Sequence, residues 1–88
     1  MQFTKTQLAV IKLLLQSEEF LDAESIYLRL NANTKSYSYA AVYNAVRLLD
    51  GMEALISRRM ETERKRFFFL DKAWVASHIF LTQAIELI

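Results

Sequence analysis

Apolar residues recur at helical spacing near the start of the chain. Leu8, Ile11 and Leu14 fall on one helical face, which predicts a first helix over about residues 5–17. The sequence Thr-Lys-Thr-Gln in front of them has the capping-box pattern, in which a threonine and a glutamine three positions later satisfy the first backbone groups of a helix. We therefore expect this helix to begin sharply and to bury one side.

The middle of the chain predicts two further helices separated by a polar turn. Asp22 is expected to cap a helix over about residues 23–32, and Ser38 another helix that ends near the single glycine of the chain. In the turn, Asn31 or Asn33 is expected to adopt the left-handed conformation that closes many helices. The predicted buried positions are Ala23, Ile26, Tyr27 and Leu30 in the first of these helices and Val42, Ala45, Val46 and Leu49 in the second.

After the glycine the pattern changes from helical to extended. Residues 55–60 and 64–70 have the composition of strands and are joined by a short polar connection, which predicts a hairpin that must pack on the helices. Asp71 then caps a last helix over about residues 72–87. Apolar residues surround most of this helix, a distribution typical of a helix that is buried on more than one side.

This order of elements predicts a mostly α fold with a small β-hairpin. It is a winged helix-turn-helix, with three helices and a two-stranded wing, plus a C-terminal helix. We expect residues 1–70 to form the winged helix-turn-helix domain and residues 71–88 to form a dimerisation element. The apolar content of 53% is high for 88 residues and also indicates that some surface is buried against a partner.

The charge distribution points to nucleic acid more clearly than the net charge of +1 does. Residues 35–66 hold seven basic and four acidic side chains, so the positive excess lies in the middle of the chain. We predict that the exposed side of the third helix enters the major groove of double-stranded DNA while the hairpin contacts phosphates. The candidate DNA-binding residues are Tyr39, Tyr43, Asn44, Arg47, Arg58, Arg59, Arg64, Lys65 and Arg66.

Several other classes of function find no support in the composition. The chain has no cysteine, which excludes disulfides, thiolate zinc sites and thiol nucleophiles. His78 is the only histidine, and we expect it to be a packed or interface residue and not a metal ligand. No catalytic constellation or apolar run of membrane-spanning length emerges, and the first residues do not form a signal peptide. We expect a cytoplasmic protein that is not an enzyme and needs no cofactor or metal.

Three segments resemble the ferric uptake regulator (Fur) family. Residues 20–30 read Phe-Leu-Asp-Ala-Glu-Ser-Ile-Tyr-Leu-Arg-Leu, where the family pattern is approximately His-Leu-Ser-Ala-Glu-Glu-Ile-Tyr. Residues 37–49 are similar to the family's recognition helix, with its core Ser-x-Ala-Thr-Val-Tyr-Arg, and residues 54–70 are similar to its wing. The resemblance implies a DNA-binding winged helix in which Tyr43 corresponds to a tyrosine that contacts bases.

The chain also departs from the family pattern at positions that carry function. The family's threonine before Val-Tyr is Ala41 here, and its following arginine is Asn44. The histidine that serves some members as a sensory ligand is Phe20, and the family's glycine near the end of the recognition helix is displaced. The metal-binding dimerisation domain has no counterpart in these residues. The resemblance therefore implies DNA binding without metal-responsive repression.

The last helix is expected to replace that domain as the dimer contact. Its predicted interface residues are Trp74, Leu81, Ile85 and Ile88, and the two recognition helices of a homodimer would then meet half-sites about 34 Å apart. Two alternatives remain open. The winged helix could be a protein–protein interaction module without DNA binding, or a subunit whose sensing domain lies on another chain.

Overall fold

Three helices and a small antiparallel sheet enclose one apolar core, and a short fourth helix follows the sheet. The computed structural model describes residues 3–78. This architecture is the predicted winged helix. The elements are α1 (Lys5–Gln16), β1 (Leu21–Asp22), α2 (Ala23–Leu30), α3 (Tyr39–Gly51), β2 (Leu55–Arg59), β3 (Arg66–Leu70) and α4 (Lys72–Ala76).

The core is built from the helical faces that the periodicity predicted. On α3 all four predicted positions are buried, and on α2 Ile26 is fully buried while the other predicted positions are half-buried. The sheet closes the core, with β3 in contact with α1 and α2 and with β2 in contact with α3. The buried cluster consists of Val10, Ile11, Leu14, Leu21, Ile26, Val42, Ala45, Val46, Leu49, Ala54, Leu55, Phe68 and Leu70.

The sheet has three strands in the order β1–β3–β2, one more than the sequence predicted. The added strand is β1, which pairs antiparallel with β3 so that Leu21 lies opposite Phe68. On the other side of β3, Leu55 lies opposite Leu70. A two-residue strand is too short to show the alternation that identifies strands in a sequence. β1 anchors the hairpin to the segment that leads into α2.

Polar caps start the helices where the sequence predicted them. At α1, Thr4 and Gln7 form both hydrogen bonds of the capping box. Asp22 accepts a hydrogen bond from the backbone of α2, and Ser38 and Asp71 do the same for α3 and α4. Each cap satisfies a backbone N–H that would otherwise lack a partner at the first turn.

The prediction of a left-handed asparagine between α2 and α3 is wrong. Asn31 has φ −105° and ψ 15°, and no asparagine among residues 3–78 has a positive φ. Its side chain holds the turn instead. Asn31 Nδ2 donates to the carbonyl of Tyr27 at 2.9 Å, and the amide of Tyr37 donates to Asn31 Oδ1 at 3.0 Å. This side-chain bridge ties the end of α2 to the segment that enters α3.

The end of α3 adopts a left-handed closing motif on an unusual residue. Gly51 lies within the helix, whereas Glu53 has φ 62°. The amide of Glu53 donates to the carbonyl of Asp50, and the amide of Ala54 donates to that of Leu49, both at 3.0 Å. These two hydrogen bonds close the helix around a left-handed residue, a position that glycine usually takes. A side chain there costs conformational energy.

The described part of the last helix is short, and its tryptophan faces its own domain. Trp74 is half-buried against the core and meets the ring of Phe3 edge-on at 6.2 Å. The remainder of the predicted helix, with the predicted interface residues Leu81, Ile85 and Ile88, lies outside the described residues. Within residues 3–78, no helix is long and apolar enough to cross a membrane.

Replacing Glu53 with glycine is expected to stabilise the protein by about 0.5–1 kcal/mol, because glycine adopts the left-handed conformation without steric cost. The midpoint of thermal unfolding, followed by circular dichroism, should rise by about 2–8 °C for a domain of this size.

Gly51→Ala is the matched control at the same helix end. A Cβ at Gly51 would meet no atom within 4 Å, so alanine should also stabilise the helix, through its higher helix propensity. A lower midpoint for Glu53→Gly, with a higher one for Gly51→Ala, would contradict the described end of α3.

Candidate nucleic-acid interface

The side of α3 that faces away from the core carries polar and aromatic groups. Because Val42 and Val46 are buried, the helical period directs Tyr39, Tyr43 and Arg47 outward on a neighbouring face. Tyr39 is 47% exposed and Tyr43 is 45% exposed, high values for such large side chains. An accessible face of this kind is what a recognition helix presents to a partner.

The tyrosines of this face belong to a row of aromatic rings that begins on α2. Tyr27 meets Tyr39 edge-on at 5.3 Å, and Tyr39 lies nearly parallel to Tyr43 at 6.2 Å, with 11° between the planes. The guanidinium carbon of Arg47 lies 5.9 Å from the centre of the Tyr43 ring, within cation–π range. Tyr39, Tyr43 and Arg47 are four residues apart, a spacing that predicts their contacts along α3. The contact between Tyr27 and Tyr39 depends on how α2 packs on α3, and the sequence did not predict it.

A groove of about 440 Å³ lies between α3 and the wing, beside the aromatic row. Three basic side chains line it, and three acidic ones face the same space. The lining residues are Asp22, Ala23, Glu24, Tyr39, Tyr43, Val46, Arg47, Asp50, Lys65, Arg66 and Phe68. The structure thus brings together Tyr39, Tyr43, Arg47, Lys65 and Arg66 from the predicted set, together with acidic residues that the sequence prediction did not assign to the site.

Lys65 is engaged in an ion pair inside this groove. Its Nζ lies 3.3 Å from Oδ2 of Asp22, whose other oxygen accepts the cap hydrogen bond from the amide of Ser25. Burial alone would raise the pKa of Asp22, but the hydrogen bonds from Ser25 and the Lys65 ammonium outweigh it, so this pKa lies below its ordinary value. The same pair raises the pKa of Lys65. Both groups are therefore charged at neutral pH.

The other basic residues of the wing divide between the two faces of the sheet. Arg66 and Phe68 lie on the face that lines the groove, and Arg59 shares this face because it lies opposite Arg66 in the register. Arg66 Nη1 donates to the hydroxyl of Ser57 at 3.1 Å. Arg64 occupies the connection between the strands, is exposed and has φ 49°.

Arg58 lies on the opposite face of the wing. It lies opposite Phe67 in the register, and its guanidinium carbon is 4.6 Å from the centre of the Phe20 ring. Phe20 in turn stacks on Phe69 at 5.2 Å. Alternation alone implied that the five basic residues could not share one face, and the register shows that Arg58 is directed away from the groove.

His78 is half-buried and packs on Trp74. Its ring stacks on Trp74 at 4.2 Å, and its Nδ1 lies 2.7 Å from the carbonyl oxygen of Trp74. Within residues 3–78, no group of three histidine, cysteine, aspartate or glutamate side chains could hold a metal ion.

Comparisons with known proteins agree with this geometry. A family model described as the ferric uptake regulator family matches residues 1–84. The PerR protein of Streptococcus pyogenes, whose structure is described as a basis for peroxide sensing and gene regulation, is 26% identical with a TM-score of 0.70. A structure named GAS PerR-Zn-Zn is also 26% identical, with a TM-score of 0.71. Among curated proteins, none matches the chain at a significant level.

The Fur protein of Helicobacter pylori, described as having three functional metal binding sites, shares the fold at 18% identity and a TM-score of 0.69. Each alignment covers 80% of this chain, but only 48% of the peroxide-sensing PerR structure, 45% of PerR-Zn-Zn and 46% of the Fur structure. The chain therefore spans about half the length of the proteins that it matches. The metal ions in those descriptions have no matching set of ligands among residues 3–78.

Proposed function

We propose, since the chain belongs to the ferric uptake regulator family, that it is a cytoplasmic transcriptional regulator and not an enzyme, and that it binds double-stranded DNA as a homodimer. The observation that carries this proposal is that the exposed face of α3, which bears Arg47, lies along the same groove as Arg66 of the wing. A helix beside a basic hairpin suits DNA because the helix fits the major groove while the hairpin reaches the phosphates.

In this proposal, α3 lies in the major groove with its exposed tyrosines towards the bases. Tyr39 and Tyr43 are the exposed apolar surfaces available to contact thymine methyl groups, and Asn44 can form two hydrogen bonds with adenine. Arg47, held near the Tyr43 ring, can reach guanine or a phosphate. Base contacts of this kind supply sequence preference.

The wing supplies phosphate contacts in the same pose. Arg59 and Arg66 share the face that lines the groove, and Arg64 lies in the exposed connection between the strands. Arg58 extends from the other face of the sheet, so we assign it no phosphate in this pose.

The experiment that tests the proposal is a fluorescence-anisotropy titration of duplex DNA at a series of salt concentrations. Arg47→Ala and Arg66→Ala are each expected to weaken binding. Each should also reduce the slope of log K against log salt by about 0.9 for every phosphate that the variant no longer neutralises.

Arg58→Ala is the matched control, because it removes a wing arginine from the opposite face. It should leave the slope unchanged. Equal reductions in all three variants would overturn the proposed pose, and wild-type protein that fails to bind duplex DNA even at low salt would overturn the proposed function.

A second prediction concerns the tyrosine pair. Replacing thymine with deoxyuridine in a selected duplex keeps base pairing and removes only the methyl groups. The wild-type protein should bind about fourfold more weakly for each methyl group that the rings contact. The double variant Tyr39→Ala/Tyr43→Ala should bind both duplexes equally.

Leu48→Ala serves as the control for this prediction, since Leu48 is also exposed on α3 but lies on the opposite side of the helix from Tyr39. This variant should retain the preference for thymine. If the wild-type protein binds the two duplexes equally, the tyrosines do not contact thymine methyl groups.

One observation favours a protein-interaction module as the second candidate. The groove is also lined by Asp22, Glu24 and Asp50, whose charges offset those of its three basic residues. Exposed tyrosines are common hot spots of protein–protein interfaces. A module of this kind would bind no duplex DNA at about 100 mM salt, whereas the proposed regulator would bind with a steep salt dependence.

The dimer is proposed from the apolar C-terminal sequence, in which Leu81, Ile85 and Ile88 extend beyond the described residues. We expect the full chain to sediment as a dimer at micromolar concentration. Leu81→Ser/Ile85→Ser should sediment as a monomer while it keeps the cooperative unfolding of the winged helix. A wild-type monomer at the same concentration would contradict the proposed dimer. Trp74 packs on its own domain, so only the exposed part of its side chain could contribute to the predicted dimer interface.

A further inference from the structure

Asp22 places a negative charge inside the proposed DNA-facing groove. Serine, which caps α3 in this chain and carries no charge, is as good a helix cap as aspartate. Capping alone therefore does not require a carboxylate. The side chain of Asp22 is only 10% exposed and is fixed by its hydrogen bond with the amide of Ser25.

This carboxylate has a cation of the wing as its partner. Lys65 Nζ approaches Asp22 Oδ2 to 3.3 Å, although the lysine side chain is 52% exposed and belongs to the connection that leads into β3. The two ends of the pair come from β1 and the wing, which are already paired through the sheet. The backbone thus already holds the two residues close together, and the main entropy cost of the ion pair is that of ordering the Lys65 side chain.

The pair changes the electrostatics that a phosphate would meet. The groove is lined by Arg47, Lys65 and Arg66, and also by three carboxylates, so its formal charges cancel. A phosphate that approached the exposed ammonium of Lys65 would either lie close to the Asp22 carboxylate, which repels it, or displace Asp22 and leave that carboxylate without its partner. The charge of Lys65 is therefore not available to DNA at full strength.

We propose that Asp22 is a specificity-determining residue that holds Lys65 away from the DNA backbone and so weakens sequence-independent binding. The inference rests on the proposed function, because it concerns the balance between phosphate and base contacts in that same groove. With one cation removed from the phosphate contacts, discrimination between DNA sequences depends more on the exposed face of α3.

The test compares binding to random-sequence duplex DNA at several salt concentrations. Asp22→Asn and Asp22→Ser keep a capping side chain and remove the charge. Both should bind about two- to fivefold more tightly near 100 mM salt, and should raise the magnitude of the salt slope by about 0.9, because Lys65 then neutralises one more phosphate. Thermal unfolding of each variant shows whether the cap has been kept.

Lys65→Gln supplies the complementary arm. In the wild-type background it should leave the salt slope nearly unchanged, whereas in the Asp22→Asn background it should lower the slope by about 0.9. A decrease of this size in the wild-type background would mean that Lys65 already contacts a phosphate, which would overturn the inference. An unchanged slope for both Asp22 variants would overturn it as well.

Asp50→Asn is the matched control, because it neutralises another carboxylate of the same groove. It should leave the response to Lys65→Gln as it is in the wild type. If the wild-type protein and both Asp22 variants all fail to bind DNA, the proposed function itself falls. Wild-type binding together with unchanged Asp22 variants refutes only the assignment of Asp22.

Discussion

Burial of one side of α3 organises both the core and the candidate interface. Its four buried residues repeat every three or four positions and pack against α1, α2 and the sheet, so the helix cannot rotate without exposing them. The same constraint fixes the direction of Tyr39, Tyr43 and Arg47 on the neighbouring face of the helix. A partner therefore meets a surface whose orientation is set by the hydrophobic core and not by the partner itself. The bridge from Asn31 sets where this helix begins relative to α2.

A second point of organisation is Asp22, which belongs to three structures at once. It pairs with Phe67 across β1 and β3, caps α2 and holds Lys65. These interactions connect the first half of the helix-turn-helix with the wing. Since α3 separates α2 from the wing along the chain, a shared residue of this kind helps to fix the angle between α2 and the wing.

Most of the fold could be predicted from the sequence because it rests on local signals. The helical stripes, the caps at Thr4, Asp22, Ser38 and Asp71, and the two long strands all leave periodic or positional traces in the chain. β1 could not be predicted, because two residues carry no alternation and their pairing depends on distant Phe67 and Phe68. The conformation of Asn31 was predicted wrongly because its tertiary bond to Tyr37 overrides its local tendency.

The candidate site divides in the same way. The outward direction of Tyr39, Tyr43 and Arg47 follows from helical spacing. The sheet face on which Arg58 lies and the ion pair of Lys65 with Asp22 depend on the strand register and on β1, and neither can be read from local sequence patterns. The central place of β3 has a further consequence for solubility. The sheet edges are left to a two-residue strand and to β2, whose last residues are Arg58 and Arg59. A strand that added to this edge would have to pair with a segment of which two of the five residues are arginines, so the short charged edge disfavours growth into fibrils.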